Sequence, residues 1–107
     1  MTEYIPVLAV GELGANANKA VEVQGKSILI CHTSAGFYAV LNRCSHQAQP
    51  LEGGRIRGQS IFCPMHGACF HLPSGEPKGT LTRIPLQTYA TRVVDGWVEV
   101  ALSESED

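Results

Sequence analysis

Short apolar runs separated by turn residues are the dominant pattern of this chain. Ala20–Val23 alternates between apolar and other side chains, and Gln24-Gly25-Lys26 separates it from a second run, Ser27–His32. The turn-forming residues Thr33–Gly36 then precede Phe37–Leu41. Short runs rich in β-branched and aromatic residues and bounded by turns are typical of β-strands. We therefore predict three strands joined by tight turns between residues 20 and 41.

A further pair of strands is predicted near the end of the chain. Leu86–Val94 and Trp97–Val100 flank Asp95-Gly96, and a two-residue loop of this kind strongly favours a β-hairpin. We expect Trp97 to serve packing there. Only Val10–Lys19 is ambiguous, and its glycines weaken a helical interpretation. The whole pattern predicts an all-β fold, a sandwich or a small barrel.

The middle of the chain interrupts this strand pattern. Between Asn42 and about Pro85 lie five of the six prolines, three of the four cysteines and three of the four histidines. Proline and glycine fix loop shapes, and loops are where functional sites usually lie. We predict one domain over residues 1–107, with a loop-rich subdomain at about 43–85 inserted in a β base and a flexible acidic tail at 103–107.

Composition narrows the function classes. The 107 residues fit one compact domain, and a net charge of −2 with interspersed signs argues against nucleic-acid binding. No apolar run approaches the roughly 18 residues that span a bilayer, and the sequence begins without a signal peptide or a twin-arginine pair. We therefore expect a cytoplasmic protein, in which cysteines indicate a metal before they indicate disulfides.

Two short motifs combine the metal-ligating residue types. Cys44-Ser45-His46 and Cys63-Pro64-Met65-His66 are separated by sixteen residues, which is long enough for a hairpin that brings the second loop beside the first. Each motif supplies two ligands, so two facing loops supply four. Zinc is one alternative, because two cysteines and two histidines are a good zinc set. Zinc modules, however, usually pair cysteine with cysteine and histidine with histidine.

The paired motif resembles that of the Rieske iron–sulfur proteins. The segment Cys63–Phe70, followed by Pro73-Ser74-Gly75-Glu76, is most similar to the small Rieske ferredoxins of bacterial aromatic-ring-hydroxylating dioxygenase systems. The resemblance implies a Rieske-like antiparallel β-sandwich or small barrel that carries one [2Fe–2S] cluster. It further implies two kinds of ligand: the thiolates of Cys44 and Cys63 on the buried iron, and the imidazoles of His46 and His66 on the outer iron.

The resemblance also bears on the reduction potential. Two neutral imidazoles in place of two thiolates raise the potential from about −400 mV into the Rieske range of roughly −150 to +300 mV. High-potential members have an extra disulfide between the loops and hydroxyl donors to the sulfurs. Here Met65 replaces one such cysteine, and Ala68 and Phe70 replace the donors. Fewer donors favour the oxidised form, so we predict a potential of about −150 to −100 mV.

The function implied by the resemblance is that of a one-electron carrier. It would take electrons from an NAD(P)H-dependent flavoprotein reductase and pass them to a terminal oxygenase. We expect no enzymatic activity of its own, because no second His/carboxylate cluster for a mononuclear iron accompanies the motifs. The small subunit of an assimilatory nitrite reductase, on a similar fold, remains an alternative, as does a structural zinc domain.

The remaining expectations concern docking and the other cysteines. We expect a monomer that docks transiently and with modest salt dependence, because the residues around the motifs are apolar or neutral. These are Gln47, Ala48, Gln49, Pro50, Leu51 and Met65. Cys31 is expected in the core and Cys69 as a partly buried free thiol. His32 and His71 lack a motif partner and are expected at the surface or at strand ends.

Overall fold

Two antiparallel sheets make up the protein. The computed structural model describes residues 3–44, 49–64, 67–79 and 82–102. The larger sheet has six strands in the order β1-β10-β9-β4-β3-β2, and the smaller has four in the order β5-β6-β7-β8. Their bounds are β1 Tyr4–Ala9, β2 Asn18–Val23, β3 Lys26–Thr33, β4 Gly36–Leu41, β5 Arg55–Arg57, β6 Ser60–Phe62, β7 Cys69–His71, β8 Pro77–Lys78, β9 Thr88–Val94 and β10 Trp97–Ala101. The all-β prediction is confirmed.

The predicted strands of the larger sheet are present. β2, β3 and β4 pair in sequence, and β4 pairs with β9 through Ala39 opposite Tyr89. Asp95 and Gly96, with φ of 52° and 80°, form the turn between β9 and β10. Two consecutive residues of positive φ match the twist of a hairpin, which is why Asp-Gly favours one.

The structure corrects the expectation for Trp97 and settles the conformation of the ambiguous segment Val10–Lys19. Trp97 is 46% exposed, so the expectation that it packs is wrong: it lies opposite Val94, which is also exposed, on the outer face of the hairpin. The ambiguous segment contains a short 3₁₀ helix, Val10–Glu12. The carboxylate of Glu12 accepts the amide N–H of Ala9 at 3.0 Å, and this hydrogen bond lowers the pKa of the carboxyl group.

The smaller sheet lies between β4 and β9 in the sequence, and the central residue of each of its three-residue strands is buried. Ile56, Ile61 and Phe70 are opposite one another on neighbouring strands and are buried, whereas the residues on either side of each point the other way. Three-residue strands with one central apolar side chain bury that side chain on a single face. The stretch between the two motifs thus forms the expected hairpin, β5–β6, over the core.

The core consists of two clusters. One lies within the larger sheet and includes Leu8, Ile28 and Val98. The other joins the two sheets: Leu29, Cys31 and Val40 from β3 and β4 pack with the buried face of the smaller sheet and with the cysteines of both motifs. Among the described residues, the structure contains no helix that is long and apolar enough to cross a membrane.

Candidate metal centre

The cysteines of the two motifs lie in one buried cluster. Cys44 is 2% exposed and Cys63 is 3% exposed, and Leu51, Phe70 and Leu86 belong to the same cluster. Cys44 lies three residues beyond the end of β4, and Cys63 directly follows β6. The folding of the smaller sheet onto the larger one therefore brings together two thiols that are nineteen positions apart in the sequence.

The second loop is closed at its base by the backbone of Cys63. The amide N–H of Cys63 donates to the carbonyl oxygen of Ala68 at 2.7 Å, and the N–H of Gly67 donates to the carbonyl oxygen of Cys63 at 2.9 Å. Gly67 has a φ of 78°, a conformation that glycine adopts without the strain of a Cβ atom. Two hydrogen bonds within six residues fix the direction in which the Cys63 side chain leaves the backbone.

The first loop is closed by both backbone and side chain. The N–H of Cys44 donates to the carbonyl oxygen of Gln49 at 2.8 Å. Just outside this bond, the side-chain oxygen of Asn42 accepts the N–H groups of Leu51 and Glu52 at 2.8 and 2.9 Å. Asn42 thus joins the chain entering the loop to the chain leaving it.

A second asparagine ties the exit of the first loop to the larger sheet. Asn18 of β2 accepts the N–H of Gly53 at 2.8 Å and donates to the carbonyl oxygen of Gly54 at 2.9 Å. In return, the Glu52 carboxylate accepts the N–H of Ala20 at 3.0 Å. Sequence reasoning missed both asparagines, although an asparagine beside a turn is a known signal of side-chain-to-backbone bonding.

The described donors fit a thiolate-ligated cluster. A buried thiolate without a compensating charge is costly, whereas a coordinating thiol is deprotonated by the metal itself. Two buried thiols, each at the base of a loop closed by a backbone hydrogen bond, therefore meet the requirement for the inner half of the predicted site. The predicted outer ligands, His46 and His66, lie outside the described residues. No group of three or more metal-ligating side chains occurs in the ranges 3–44, 49–64, 67–79 and 82–102.

The other cysteines and histidines have local roles. Cys31 is fully buried in the core, as expected, and burial raises its pKa to about 12. Cys69 is a partly buried free thiol on β7, also as expected. The ring of His32 stacks on Phe37, and its Nδ1 lies 2.9 Å from the carbonyl oxygen of Leu13.

The expected docking surface needs one correction. Leu51 is fully buried in the cluster with both motif cysteines, because its N–H is held by Asn42 and its side chain points into the core. Gln49 and Pro50 are exposed, as a docking role requires. Gln47, Ala48 and Met65 lie outside the described residues.

Comparison with known proteins assigns this geometry to a family. A family model described as a Rieske [2Fe–2S] domain matches residues 3–90. The 3-phenylpropionate/cinnamic acid dioxygenase ferredoxin subunit of Photorhabdus laumondii subsp. laumondii is 32% identical to this chain. That match covers 94% of this chain and 95% of the relative.

Solved structures of other proteins have the same fold as this chain. The chain is similar to one in a complex of reduced oxygenase and oxidized ferredoxin in carbazole 1,9a-dioxygenase, with 27% identity, a TM-score of 0.85 and 92% of each chain covered. It also resembles a putative NADH-dependent nitrite reductase small subunit from Mycobacterium tuberculosis. There the identity is 18%, the TM-score is 0.87, and the coverage is 96% of this chain and 97% of the other. The second likeness extends to the fold alone.

Proposed function

This chain belongs to the Rieske [2Fe–2S] domain family, and from that premise we propose that it is the one-electron carrier of a ring-hydroxylating dioxygenase system. It carries one [2Fe–2S] cluster, which sets the zinc alternative aside. Relatives that match nearly its whole length are named as ferredoxin subunits or components of such systems. It is thus an electron-transfer component, and the oxygen chemistry belongs to a partner.

The observation that carries the proposal is the placement of Cys44 and Cys63. Both thiols lie in one apolar cluster, each at the base of a loop closed by its own backbone N–H. When bound, the cluster supplies a one-electron couple. The two thiolates would hold it, and the imidazoles of His46 and His66 would complete the proposed ligand set. The apolar surroundings exclude water from the thiolates, and the closed loops keep both in place in either oxidation state.

The surroundings of the thiols support a low potential. Ala68 and Phe70 are almost completely buried beside Cys63 and carry no hydroxyl group. Hydrogen bonds to the sulfurs of a cluster stabilise its reduced form, so the lack of a hydroxyl donor at these two positions keeps the potential low. We expect a value of about −150 to −100 mV. This range lets the carrier accept electrons from a flavin and deliver them to a second Rieske centre of similar potential.

The proposed partners are an NAD(P)H-dependent flavoprotein reductase and a terminal oxygenase. The solved complex of an oxygenase with a ferredoxin supports a direct contact between proteins of these two kinds. Small size and a site at one end of the smaller sheet suit a monomeric cytoplasmic shuttle, which has to expose the same edge to donor and acceptor in turn.

The alternative is the small subunit of an assimilatory nitrite reductase. The shared fold favours it, but the identity to such chains is 18–20%. A resident subunit has no need to dissociate, whereas a shuttle does. The two functions therefore make different predictions. A nitrite reductase subunit stays in a stable complex of fixed stoichiometry, whereas a carrier dissociates and serves two proteins in turn.

Reconstitution tests the proposal. The purified protein should contain iron and acid-labile sulfide in equal amounts and, after reduction with dithionite, give a rhombic EPR signal whose mean g value is below that of all-cysteine clusters. With NADH, a flavoprotein reductase and a terminal oxygenase, product formation should depend on catalytic amounts of this chain. An EPR-silent protein contradicts the cluster. Stable co-purification with a sirohaem subunit, and nitrite reduction by that pair, contradict the carrier role.

A further inference from the structure

Charge is distributed unevenly along this chain. Residues 42–85, which contain both motifs, hold five of the eight lysines and arginines but only two acidic residues. The remainder holds three basic and eight acidic residues. The net charge of −2 thus hides a basic site-bearing part and an acidic remainder, and such an asymmetry orients a protein as it approaches a charged partner.

Three of these five basic residues lie on the outer face of the smaller sheet. Arg55 lies opposite Phe62, Phe62 opposite Cys69, and Cys69 opposite Lys78, so these four side chains form one row across all four strands. Directly paired residues project from the same face of a sheet. The opposite face is the buried one, so the row faces away from the core. Arg55 and Lys78 are exposed, and Phe62 and Cys69 are partly exposed.

Arg57 extends this face by one row. It lies opposite Ser60, and together with Arg55 and Phe62 it lines a shallow cleft. The ammonium group of Lys78 donates to the Ser60 hydroxyl at 3.3 Å. We refer to Arg55, Arg57, Phe62, Cys69 and Lys78 as the cationic face.

Nearby carboxylates do not neutralise the cationic face. The ion pairs among the described residues are Lys19 with Glu12 and Arg92 with Glu99, and both lie on the other part of the chain. The acidic residues of the site-bearing part are Glu52, whose carboxylate is held by Ala20 of β2, and Glu76. The backbone carbonyl of Glu76 accepts the His71 amide at the end of the sheet where the Arg57 row lies, and no ion pair among the described residues joins the Glu76 carboxylate to a cation.

The cationic face borders the metal centre directly. Phe62 is the residue before Cys63, and Cys69 follows Ala68, whose carbonyl oxygen accepts the Cys63 amide. The row of Arg55, Phe62, Cys69 and Lys78 is therefore the one nearest the second loop. A protein that approaches the base of the second loop, at Cys63 and Ala68, has this face beside it.

We propose that the cationic face docks an acidic surface of the redox partner that exchanges electrons with this chain. This inference rests on the proposed function and deepens it by naming the chemistry of the partner. The exposed guanidinium and ammonium groups steer and orient the partner, and Phe62 supplies apolar contact beside the loop. Docking is then sensitive to salt, unlike the modest dependence expected from the neutral residues of the loops.

The first arm of the test measures binding to an acidic surface without any biological partner. Cluster-loaded protein is applied at low salt to immobilised poly-L-glutamate. Wild-type protein should be retained despite its negative net charge, whereas Arg55→Glu and Arg57→Glu should lose most of the retention. The matched control is Lys26→Glu, which makes the same charge change at an exposed position on the larger sheet. Equal losses in all three variants would overturn the proposal.

The second arm measures electron transfer from the flavoprotein reductase and to the terminal oxygenase, each as a function of salt. At least one step should slow by roughly fivefold or more in Arg55→Glu and less than twofold in Lys26→Glu, with the difference vanishing at high salt. Arg57→Gln, a milder change, should slow the same step less. Unchanged spectra and iron content exclude a folding defect. Slowing of both steps equally in Arg55→Glu and Lys26→Glu, or of neither step, would overturn the proposal.

The two arms separate the docking inference from the proposed function. If wild-type protein binds poly-L-glutamate through the cationic face but transfers no electron to any oxygenase, the carrier role fails and the acidic-partner inference stands. Deleting residues 103–107 tests whether the acidic tail of the same chain, and not a partner protein, covers the cationic face. The deletion removes three carboxylates and raises retention by charge alone, so the same deletion in Arg55→Glu is the control. If retention rises more in the wild-type background than in Arg55→Glu, the acidic tail covers the cationic face and the proposal is overturned; equal gains in both backgrounds support an external partner.

Discussion

The side-chain oxygen of Asn42 accepts the amide N–H of Leu51 at 2.8 Å, across the first loop of the metal centre. The side-chain amide nitrogen of Asn42 donates to the Ser27 hydroxyl at 3.1 Å. The backbone N–H of Asn42 donates to the Ser27 carbonyl oxygen at 2.9 Å. Asn42 is therefore fixed to β3 and in turn fixes both ends of the loop that contains Cys44.

Replacing Asn42 with alanine should loosen that loop. The change leaves the amide groups of Leu51 and Glu52 without their acceptor, at a cost of about 1–3 kcal/mol of stability. We expect a lower melting temperature and faster loss of the cluster absorbance at a fixed temperature, and an EPR spectrum broadened by a less uniform site.

Asn42→Asp is the matched control, because it keeps the acceptor while it loses the donor to Ser27 and gains a negative charge. It should retain most of the cluster lifetime. If the aspartate and alanine variants lose their clusters at the same rate, the hydrogen bonds to Leu51 and Glu52 are not what holds the loop.

The fold was predictable where single residues carry strong local preferences. Asp95-Gly96 marks the β9–β10 turn because it accommodates two positive φ angles, and the apolar run at 27–32 marks β3. The prediction omitted β1, since Pro6 interrupts a strand pattern; the strand forms because it lies at the edge of the sheet, where a missing N–H is tolerated. Strands of two or three residues, such as β7 and β8, are too short for any period to be visible.

The candidate site was predictable only where neighbouring residues in the sequence form a recognisable ligand motif. The spacing within the motifs predicted two ligand-bearing loops, and the resemblance to the Rieske proteins implied that Cys44 and Cys63 are the buried ligands. The roles of Asn42 and Asn18 depend on partners nine to 36 positions away, which appear only after the sheets have formed. Leu51 was wrongly expected at the surface, because its burial results from this clamp and not from a local pattern.

A single methyl group at Gly67 should destabilise the second loop. A Cβ atom there meets nothing within 4 Å, so the cost of Gly67→Ala comes from the positive φ of 78° alone, about 1–2 kcal/mol. The melting temperature of the cluster-loaded protein should fall accordingly. Gly11→Ala is the control, since that position has equally open space and no positive φ. Equal melting temperatures for both variants would contradict a strained loop.

The two cysteines outside the motifs should differ in reactivity. Burial raises the pKa of Cys31 to about 12, and the reactive species is the thiolate. At pH 8 only about one Cys31 thiol in ten thousand is ionised, and this fraction rises tenfold per pH unit up to the pKa. Iodoacetamide should therefore label Cys69 in the cluster-loaded protein and leave Cys31 intact, as mass spectrometry of peptides can measure. Cys69→Ser should abolish the labelling; rapid labelling of Cys31 at pH 8 would show that the core opens.

Restoring hydroxyl donors should raise the reduction potential. Phe70→Tyr and Ala68→Ser each place a hydroxyl group beside the buried Cys63, at positions that are now almost completely inaccessible to water. A hydrogen bond worth about 1 kcal/mol more to the reduced form corresponds to roughly 40 mV for a one-electron couple. Protein-film voltammetry should give a wild-type potential near the low end of the Rieske range and an upward shift in each variant. Phe37→Tyr, on β4 and in the other core cluster, should leave the potential unchanged. A wild-type potential above zero, or equal shifts in all three variants, would contradict the assignment of the low potential to missing donors.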